Sequence, residues 1–432
     1  MSELGTDFRR LWISSGVSNL GDGVRLIAVP LLAATITRDP MAVAGITIAA
    51  ELPWLLVSLF AGAAADRYDR RWLMIGVQLA RCAVAALLAL TVFTGTTRML
   101  LLYGFVLALG ICEVLYDVAA PTILPRVVGK DQLPRANARL SAVELTTNEF
   151  LGPPLGGLLF RLAPAVPFVL DAVSFAASAA ALRRVRGTFR ADQGEDQSRG
   201  GVRRMLRDIG EGARWLRHRP LLVGMTAVVT VMNLARAMTL AVFVLYALEL
   251  LRLGAIGFAV LSSAVAVGAV AATFVADRRG WRHAGPVMLA SALGHGVTTA
   301  ATGLTTNAWV AGAAGAGFGF ATMTWNVLSS SVRQAVVPDR LLGRVGSVHR
   351  FVSWGSLPIG GVLGGLLAEW LGLRAPFLAG GAAVIVAALA ASPLLLGVAA
   401  LLPEAEAGGE SNSGGESGSD GESGSDGESG GG

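Results

Sequence analysis

Long apolar runs alternate with short polar turns along almost the whole chain, and the length of the runs decides how they read. A hydrocarbon layer about 30 Å thick is crossed by roughly 20 apolar residues in a helix. Twelve runs reach that scale, near 10–36, 41–65, 72–94, 98–120, 137–160, 164–183, 221–247, 254–276, 284–303, 306–331, 345–370 and 375–400. Each predicts a spanning helix, because a backbone in lipid must satisfy its own N–H and C=O groups. The expected organisation is an all-α membrane protein: a six-helix bundle over 1–183, a cytoplasmic linker over 184–220, a second six-helix bundle over 221–402, and a disordered acidic Gly/Ser tail over 403–432. In the linker, Leu206, Ile209, Ala213 and Leu216 fall at helical spacing and predict a short amphipathic surface helix.

The second bundle repeats the first. Leu155-Gly156-Gly157-Leu158-Leu159 returns as Leu363-Gly364-Gly365-Leu366-Leu367, Pro167-Phe168 as Pro376-Phe377, Tyr116-Asp117-Val118 as Trp325-Asn326-Val327, and Ala65-Asp66-Arg67 as Ala276-Asp277-Arg278. The offset stays between 208 and 211 residues and preserves helix order. Two parallel copies of a six-helix unit follow.

Composition agrees with a bilayer: hydrophobic residues make up 53% of the chain, charged residues 15%, and mean hydropathy is +0.59. The net charge of +5 does not imply nucleic acid, because the basic residues sit in alternate loops. Arg9 and Arg10, then Arg67, Arg70 and Arg71, Arg126, Lys130 and Arg135, the 184–220 segment, Arg278, Arg279 and Arg282, and Arg340 and Arg344 mark one side. The other loops carry single arginines such as Arg38, Arg98, Arg161, Arg252 and Arg374. By the positive-inside rule both termini are expected in the cytoplasm of a multi-pass cell-membrane protein, with the first apolar run as a retained signal anchor. Cys82 and Cys112 fall within spans, where free buried thiols are expected. There is no H-E-x-x-H, G-x-S-x-G or Walker loop, so neither an enzyme nor an ATP-driven pump is indicated, and no cofactor or metal is expected.

Between the second and third spans stands Gly62-Ala63-Ala64-Ala65-Asp66-Arg67-Tyr68-Asp69-Arg70-Arg71. Its G-x-x-x-D-R-x-x-R-R spacing resembles the loop 2–3 signature of the major facilitator superfamily of secondary transporters. Asn19-Leu20-Gly21-Asp22-Gly23, Pro134-Arg135-Ala136-Asn137, Gly152-Pro153-Pro154-Leu155-Gly156-Gly157, Leu170 to Phe175 and Glu211 to Leu216 together are similar to the bacterial exporter branch that contains the enterobactin exporter. The resemblance covers roughly the first 400 residues. It implies a monomer that exports a small molecule, driven by the proton gradient, by alternating access, with the substrate near midplane between the halves. A lipid or lysolipid flippase or importer of the same fold is the alternative.

Two elements carry mechanism in that reading. Asp66, Arg67, Arg70 and Arg71, with Gly62, form a gating latch that bonds helix termini or acidic groups of neighbouring spans, and Asp277-Arg278 is its weaker copy. Gly152, Pro153, Pro154, Gly156 and Gly157 resemble the fifth-helix antiporter motif, with Asn148 where its first Gly would stand; the prolines predict a bend and the glycines close helix approach.

Polar and ionisable residues within spans are the site candidates, since each is costly in lipid. They are Asn19, Asp22 and Arg25, then Glu51, Arg81, Glu113 and Asp117, Glu144 and Glu149, and Asp171, with Asn233 and Arg236 in the second half. Asn19-x-x-Asp22 and Asn233-x-x-Arg236 are equivalent in the repeat, which predicts Asp22 facing Arg236 across the cavity; Arg25 is the nearer partner in sequence. Glu113 and Asp117 lie one turn apart and read as a proton carrier, while Glu144 and Glu149 read as partners of the basic turn. No basic residue occurs from Leu100 to Ala120, so Glu51, Glu113 or Asp117 is expected to carry the proton. His295 and His349 read as packing residues. The acidic excess favours a cationic or amphipathic substrate.

Overall fold

The computed structural model describes residues 4–57, 69–129, 132–185, 210, 213–276 and 283–398. Among them the chain forms twelve helices: α1 (Gly5–Ile36), α2 (Pro40–Leu56), α3 (Arg70–Phe93), α4 (Met99–Val127), α5 (Leu133–Glu144, Leu145–Leu151 and Gly152–Leu162), α6 (Val166–Arg183), α7 (Pro220–Leu245, continued by Tyr246–Leu250), α8 (Ala255–Ala276), α9 (Ala284–Leu304), α10 (Ala308–Val336), α11 (Asp339–Leu371) and α12 (Ala375–Leu396). Each of the twelve expected spans coincides with a helix over its described residues. Nine are long and apolar enough to cross a membrane by length and composition alone; α2, α5 and α10 fall short. The reason is local: α2 is described for only 17 residues, α5 begins in polar Leu133–Glu144, and α10 is rich in Gly, Ser and Thr. Several helices overrun their apolar runs at the end that carries the N-terminus, with α4 continuing to Val127 and α11 beginning at Asp339.

At the opposite end the connections are short, and side chains start the next helix. Asp39 accepts from Met41 N at 2.8 Å to cap α2, with Pro40 at the first position, and Asn307 accepts from Trp309 N at 2.8 Å to cap α10.

The polarity of the helices is inverted relative to a water-soluble bundle. Helix α3 buries Gln78 and Arg81 while Leu79, Leu87, Leu90 and Phe93 are exposed. That face suits lipid, where apolar side chains lose nothing by being outside and polar ones need protein partners.

The repeat is visible in the packing. In the first half α1 packs on α5 and α6, α3 on α4 and α6, and α2 on α4; in the second half α7 packs on α11 and α12, α9 on α10 and α12, and α8 on α10. Each of these contacts has its counterpart in the other half. The halves meet along two further equivalent seams, α2 against α11 and α5 against α8.

The apolar core is distributed unevenly along the membrane axis. At the end away from the N-terminus one cluster serves both halves, joining Ile27 to Ala34 of α1 and Val43 of α2 to Ala241–Ala247 of α7 and Phe258 of α8. At the other end there are two clusters, one around Phe8, Met74 and Leu124 and one around Met225, Met288 and Leu395. Among the described residues, the halves are therefore welded at one end and separately cored at the other.

Candidate functional site in the first bundle and between the halves

Five ionisable side chains from four helices converge inside the first half. Asp22 Oδ1 accepts from Arg25 Nη2 of its own helix and from Arg81 Nη2 of α3, each at 2.7 Å. Arg25 Nη2 also donates to Glu113 Oε2 of α4 at 3.1 Å, and Arg81 Nη2 lies 3.7 Å from the same carboxylate. Asp171 Oδ2 of α6 lies 3.5 Å from Arg25 Nε. Phe175, one turn beyond Asp171, places its ring centroid 4.3 Å from the Arg81 guanidinium. Beside this cluster Gln78 Nε2 donates to Ser18 Oγ at 2.9 Å and Ser178 Oγ at 2.7 Å, and Ser14 Oγ lies 2.7 Å from Ser178 Oγ. Buried polar groups thus tie α1, α3 and α6 together, where lipid offers no alternative partner.

The cluster forms one wall of a cavity of about 370 Å³ that Asp22, Arg81, Glu113, Asp117, Glu144 and Asn19 help to line. Its carboxylates outnumber its guanidiniums. A second cavity of about 340 Å³ lies between the halves, lined by Glu51 and Trp54 of α2, Asn233 and Arg236 of α7, His295 of α9 and Trp354 of α11 among others. Here Arg236 Nη1 stands 3.8 Å from Glu51 Oε1, and the Trp54 and Trp354 rings meet edge to face at 5.3 Å. Both pairs reach across the seam between the halves.

Described spans that are all helical, in two six-helix copies, with charged groups held within them and cavities inside and between the copies, make the anatomy of a membrane carrier. The sequence profile of the transmembrane secretion effector family, within the major facilitator superfamily, matches residues 4–411. The chain belongs to this family. It is similar to an uncharacterised MFS-type transporter of Mycobacterium tuberculosis, 32% identical over 149 residues, which cover 34% of this chain and 33% of that one. The matched stretch therefore spans about a third of that relative's length. The multidrug efflux pump Tap of Mycolicibacterium fortuitum is 26% identical over 393 residues, 88% of this chain and 91% of that one. The crystal structure of the nucleoside transporter NupG superposes with a TM-score of 0.72 at 12% identity, over 90% of this chain and 100% of that one, which is a likeness of fold alone. The protein is a multi-pass membrane protein of a transporter family and not an enzyme.

Within the transporter, the expected pairing of Asp22 with Arg236 is not formed. Asp22 is already held by Arg25 and Arg81, and Arg236 faces Glu51 instead. Equivalence in the repeat places two residues at the same depth, but a guanidinium one turn away and another on the adjacent helix are closer than anything across the cavity. Asn19 donates to Ser15 O of its own helix at 2.9 Å and faces the cavity. Asp117 and Glu144 line the cavity with Glu113, while Glu149 is exposed.

Gly62, Asp66, Arg67, Asp277 and Arg278 lie outside the described residues. The other two members of the charged turn are placed: Arg70 Nη1 donates to Thr122 O of α4 at 3.3 Å, and Arg71 donates to Leu182 O at 3.2 Å and Arg183 O at 2.6 Å. Arg10 Nη1 adds a bond to Arg184 O at 2.6 Å. The carbonyls that close α6, Leu182 to Arg184, are thus gripped by guanidiniums at the negative end of the helix, with Leu182 O also accepting from Val185 N. Of the two kinds of partner expected for the basic turn, helix ends and acids, these arginines take carbonyls, and Glu144 and Glu149 do not pair with them.

The Gly-Pro motif acts where expected and by a specific device. Helix α5 widens to i→i+5 bonding over Leu145–Leu151, with Gly152 N donating to Thr147 O, immediately before Pro153 and Pro154. Two successive residues without N–H groups and with rings that press on the preceding turn explain the change of register. A Cβ on Gly156 would stand 2.6 Å from Val24 O of α1, and one on Gly157 would stand 2.6 Å from the Ala259 Cβ of α8. Their copies repeat the division: Gly364 abuts Met238 of α7, and a Cβ on Gly365 would stand 2.8 Å from Ala44 Cβ of α2. The first glycine of each pair packs its own half and the second packs the seam. Asn148, at the position of the motif's first Gly, meets α1 at Gly23, so the glycine that allows this approach stands on the facing helix.

His295 is buried, with Nδ1 3.0 Å from Thr322 Oγ1 and its ring 4.4 Å from that of Phe318; it packs, and also lines the cavity between the halves. His349 Nδ1 lies 3.0 Å from Thr226 Oγ1. The sequence gives no role to Gln78 or to the Trp54–Trp354 pair. Gln78 stands three residues before Arg81 on one helical face, a polar spacing within an apolar run that marks an inward stripe. Both cysteines, Cys82 and Cys112, are free. Of the predicted surface helix, 213–217 is helical and Leu216 joins the core of the second half; Leu206 and Ile209 lie outside the described residues, as does the tail.

Proposed function

We propose that the protein exports a small amphipathic or cationic molecule from the cytoplasm across the cell membrane, as a monomer, by proton antiport with alternating access. The observation that carries this reading is the acidic cavity of the first half, where Asp22, Glu113, Asp117 and Glu144 are set against Arg81 inside a bundle of spanning helices. Ionisable groups at such depth are expensive and belong to substrate or proton pathways. The cavity between the halves supplies the complementary chemistry, with Trp54 and Trp354 for an apolar or aromatic body and Glu51 for a positive charge. With both termini cytoplasmic, the shared core seals the outer face and the separate cores lie toward the cytoplasm, so this conformation is ready to load from within. The turn from Gly62 to Arg71 serves as the cytoplasmic latch, with Asp66 the member whose loss does most harm and Asp277 the milder copy. Tap, a relative matched over 91% of its length and named a multidrug efflux pump, points the same way.

The test is transport of ethidium, an amphipathic cation, by the purified full chain in proteoliposomes. An imposed proton gradient should drive its movement and a protonophore should abolish it, while ATP has no effect. Ethidium movement indifferent to the protonophore removes proton coupling. Movement of a labelled phospholipid in place of ethidium replaces the exporter with a lipid flippase.

A further inference from the structure

We propose that Asp171, on the peripheral helix α6, is the group that holds the transported proton, and that Arg25 is the positioning residue that passes between Asp171 and the Asp22–Glu113 pair. The inference rests on the proton-coupled reading above and names its carrier, which the sequence places instead at Glu51, Glu113 or Asp117.

The cluster holds three carboxylates and two guanidiniums, so one carboxylate lacks a full counter-charge. Asp22 is bonded by both arginines at 2.7 Å. Glu113 accepts from Arg25 at 3.1 Å and opens to the cavity with its side chain 36% exposed. Asp171 is 0% exposed, and neither of its oxygens has a hydrogen-bond partner. A sealed carboxylate without hydrogen bonds is tolerated as the acid far better than as the anion. Asp171 is thus the member that carries the proton in this conformation.

A partner for the anion stands ready. Arg25 Nε, itself buried and without a hydrogen bond, lies 3.5 Å from Asp171 Oδ2. The charged groups around Asp171 are Asp22 and Arg25 of α1, Arg81 of α3 and, behind them, Glu113 of α4. On its remaining side the backbone of α1 closes in at Gly21, where a Cβ would stand 2.5 Å from Asp171 Oδ1. When the helices shift to admit water and the Asp171 O–H bond breaks, the proton leaves to that water and the new carboxylate accepts from Arg25 Nε–H. Arg25 stays a guanidinium throughout. Its swing frees Glu113, the carboxylate that faces the cavity, to take a cation in place of Arg25. Proton loss and substrate uptake are then linked through one side chain, with the electrostatic sum in the cluster nearly unchanged.

The ligand-free test is an infrared difference spectrum of the full chain in lipid, recorded as pH is raised from acid to alkaline. The wild type should lose the carbonyl band of a buried carboxylic acid. Asp171→Asn should lack that band, whereas Glu113→Gln and Asp117→Asn should keep it. Asp22→Asn releases Arg25 toward Asp171 and should move the loss of the band to lower pH, which keeps the proposal testable if Asp171→Asn does not fold. A band that persists in Asp171→Asn, or no such band in the wild type, overturns the assignment. In proteoliposomes, Asp171→Asn should lose proton-driven ethidium accumulation and keep ethidium exchange at equal concentrations. Wild-type transport indifferent to protons would instead remove the coupled reading itself, while a proton-driven wild type with an equally proton-driven Asp171→Asn removes only the role of Asp171.

Discussion

Arg81 and Arg236 are both intramembrane arginines facing a carboxylate, and their surroundings give them different weights. Arg81 is 1% exposed, bonded to Asp22 and stacked on Phe175. Arg81→Ala leaves Asp22 with a single guanidinium and a void beneath it, and should cost about 3 kcal/mol, read as a lowered unfolding midpoint in detergent. Arg81→Lys should recover little, because an ammonium cannot reach two carboxylates from one planar fork. Arg236 is a different case, with 44% of its side chain exposed and 3.8 Å between its nitrogen and Glu51. A double-mutant cycle of Glu51→Gln with Arg236→Gln should give a coupling of only about 0.2–1 kcal/mol in stability, since solvent screens such a pair. Its effect belongs in transport: Glu51→Gln should weaken ethidium transport while Tm stays near the wild type.

At the scale of the element, α5 and α11 show what the recurring Gly-Gly step does. Gly156 and Gly364 pack within a half, Gly157 and Gly365 across the seam, so the two members of a pair should fail differently. Gly156→Ala drives a methyl into the α1 backbone and should cost about 1–3 kcal/mol of stability, visible in a melting curve. Gly157→Ala meets α8 of the other half, and should slow transport at nearly unchanged Tm because it acts on how the halves close. The widened turn before Pro153 is the other feature of this scale. Replacing Pro153 and Pro154 together with Ala restores two donors and should tighten α5 toward regular helix, raising Tm and reducing the transport rate; an unchanged rate would show that the bend has no part in gating.

For the whole molecule, the cores define the conformation: one cluster shared by both halves at the end away from the N-terminus, and one for each half at the other. Alternating access requires the shared cluster to part. Ala44 of α2 and Gly365 of α11 lie in that seam, with Cβ positions 2.8 Å apart, within about 1 Å of the separation a disulfide needs. On a background without Cys82 and Cys112, Ala44→Cys with Gly365→Cys should stop ethidium transport under oxidising conditions and regain it on reduction. Transport that continues with the crosslink formed would mean that this seam does not open in the cycle.

The chain's apolar runs, their lengths, the alternation of arginines and the recurrence of its motifs at a near-constant offset determine a twelve-helix, two-copy membrane fold, because lipid permits little else for such segments. The same reading finds the intramembrane charges, since each is conspicuous against its apolar run. Partners are another matter. Asp22 pairs with Arg25 and Arg81 and not with Arg236, Glu51 takes Arg236, and Asp171 is left without a hydrogen bond, all of which depend on helix rotation and on the depth at which α1, α3, α4 and α6 cross. Periodicity gives neither to within the few tenths of an ångström that decide a hydrogen bond. The substitution of Asn148 for a motif glycine likewise looks like a loss in sequence, and only the packing of α5 on α1 shows that Gly23 provides the space. Sequence fixes what must lie in the membrane; the contacts between helices, through distance and exclusion of water, decide which charge belongs to which.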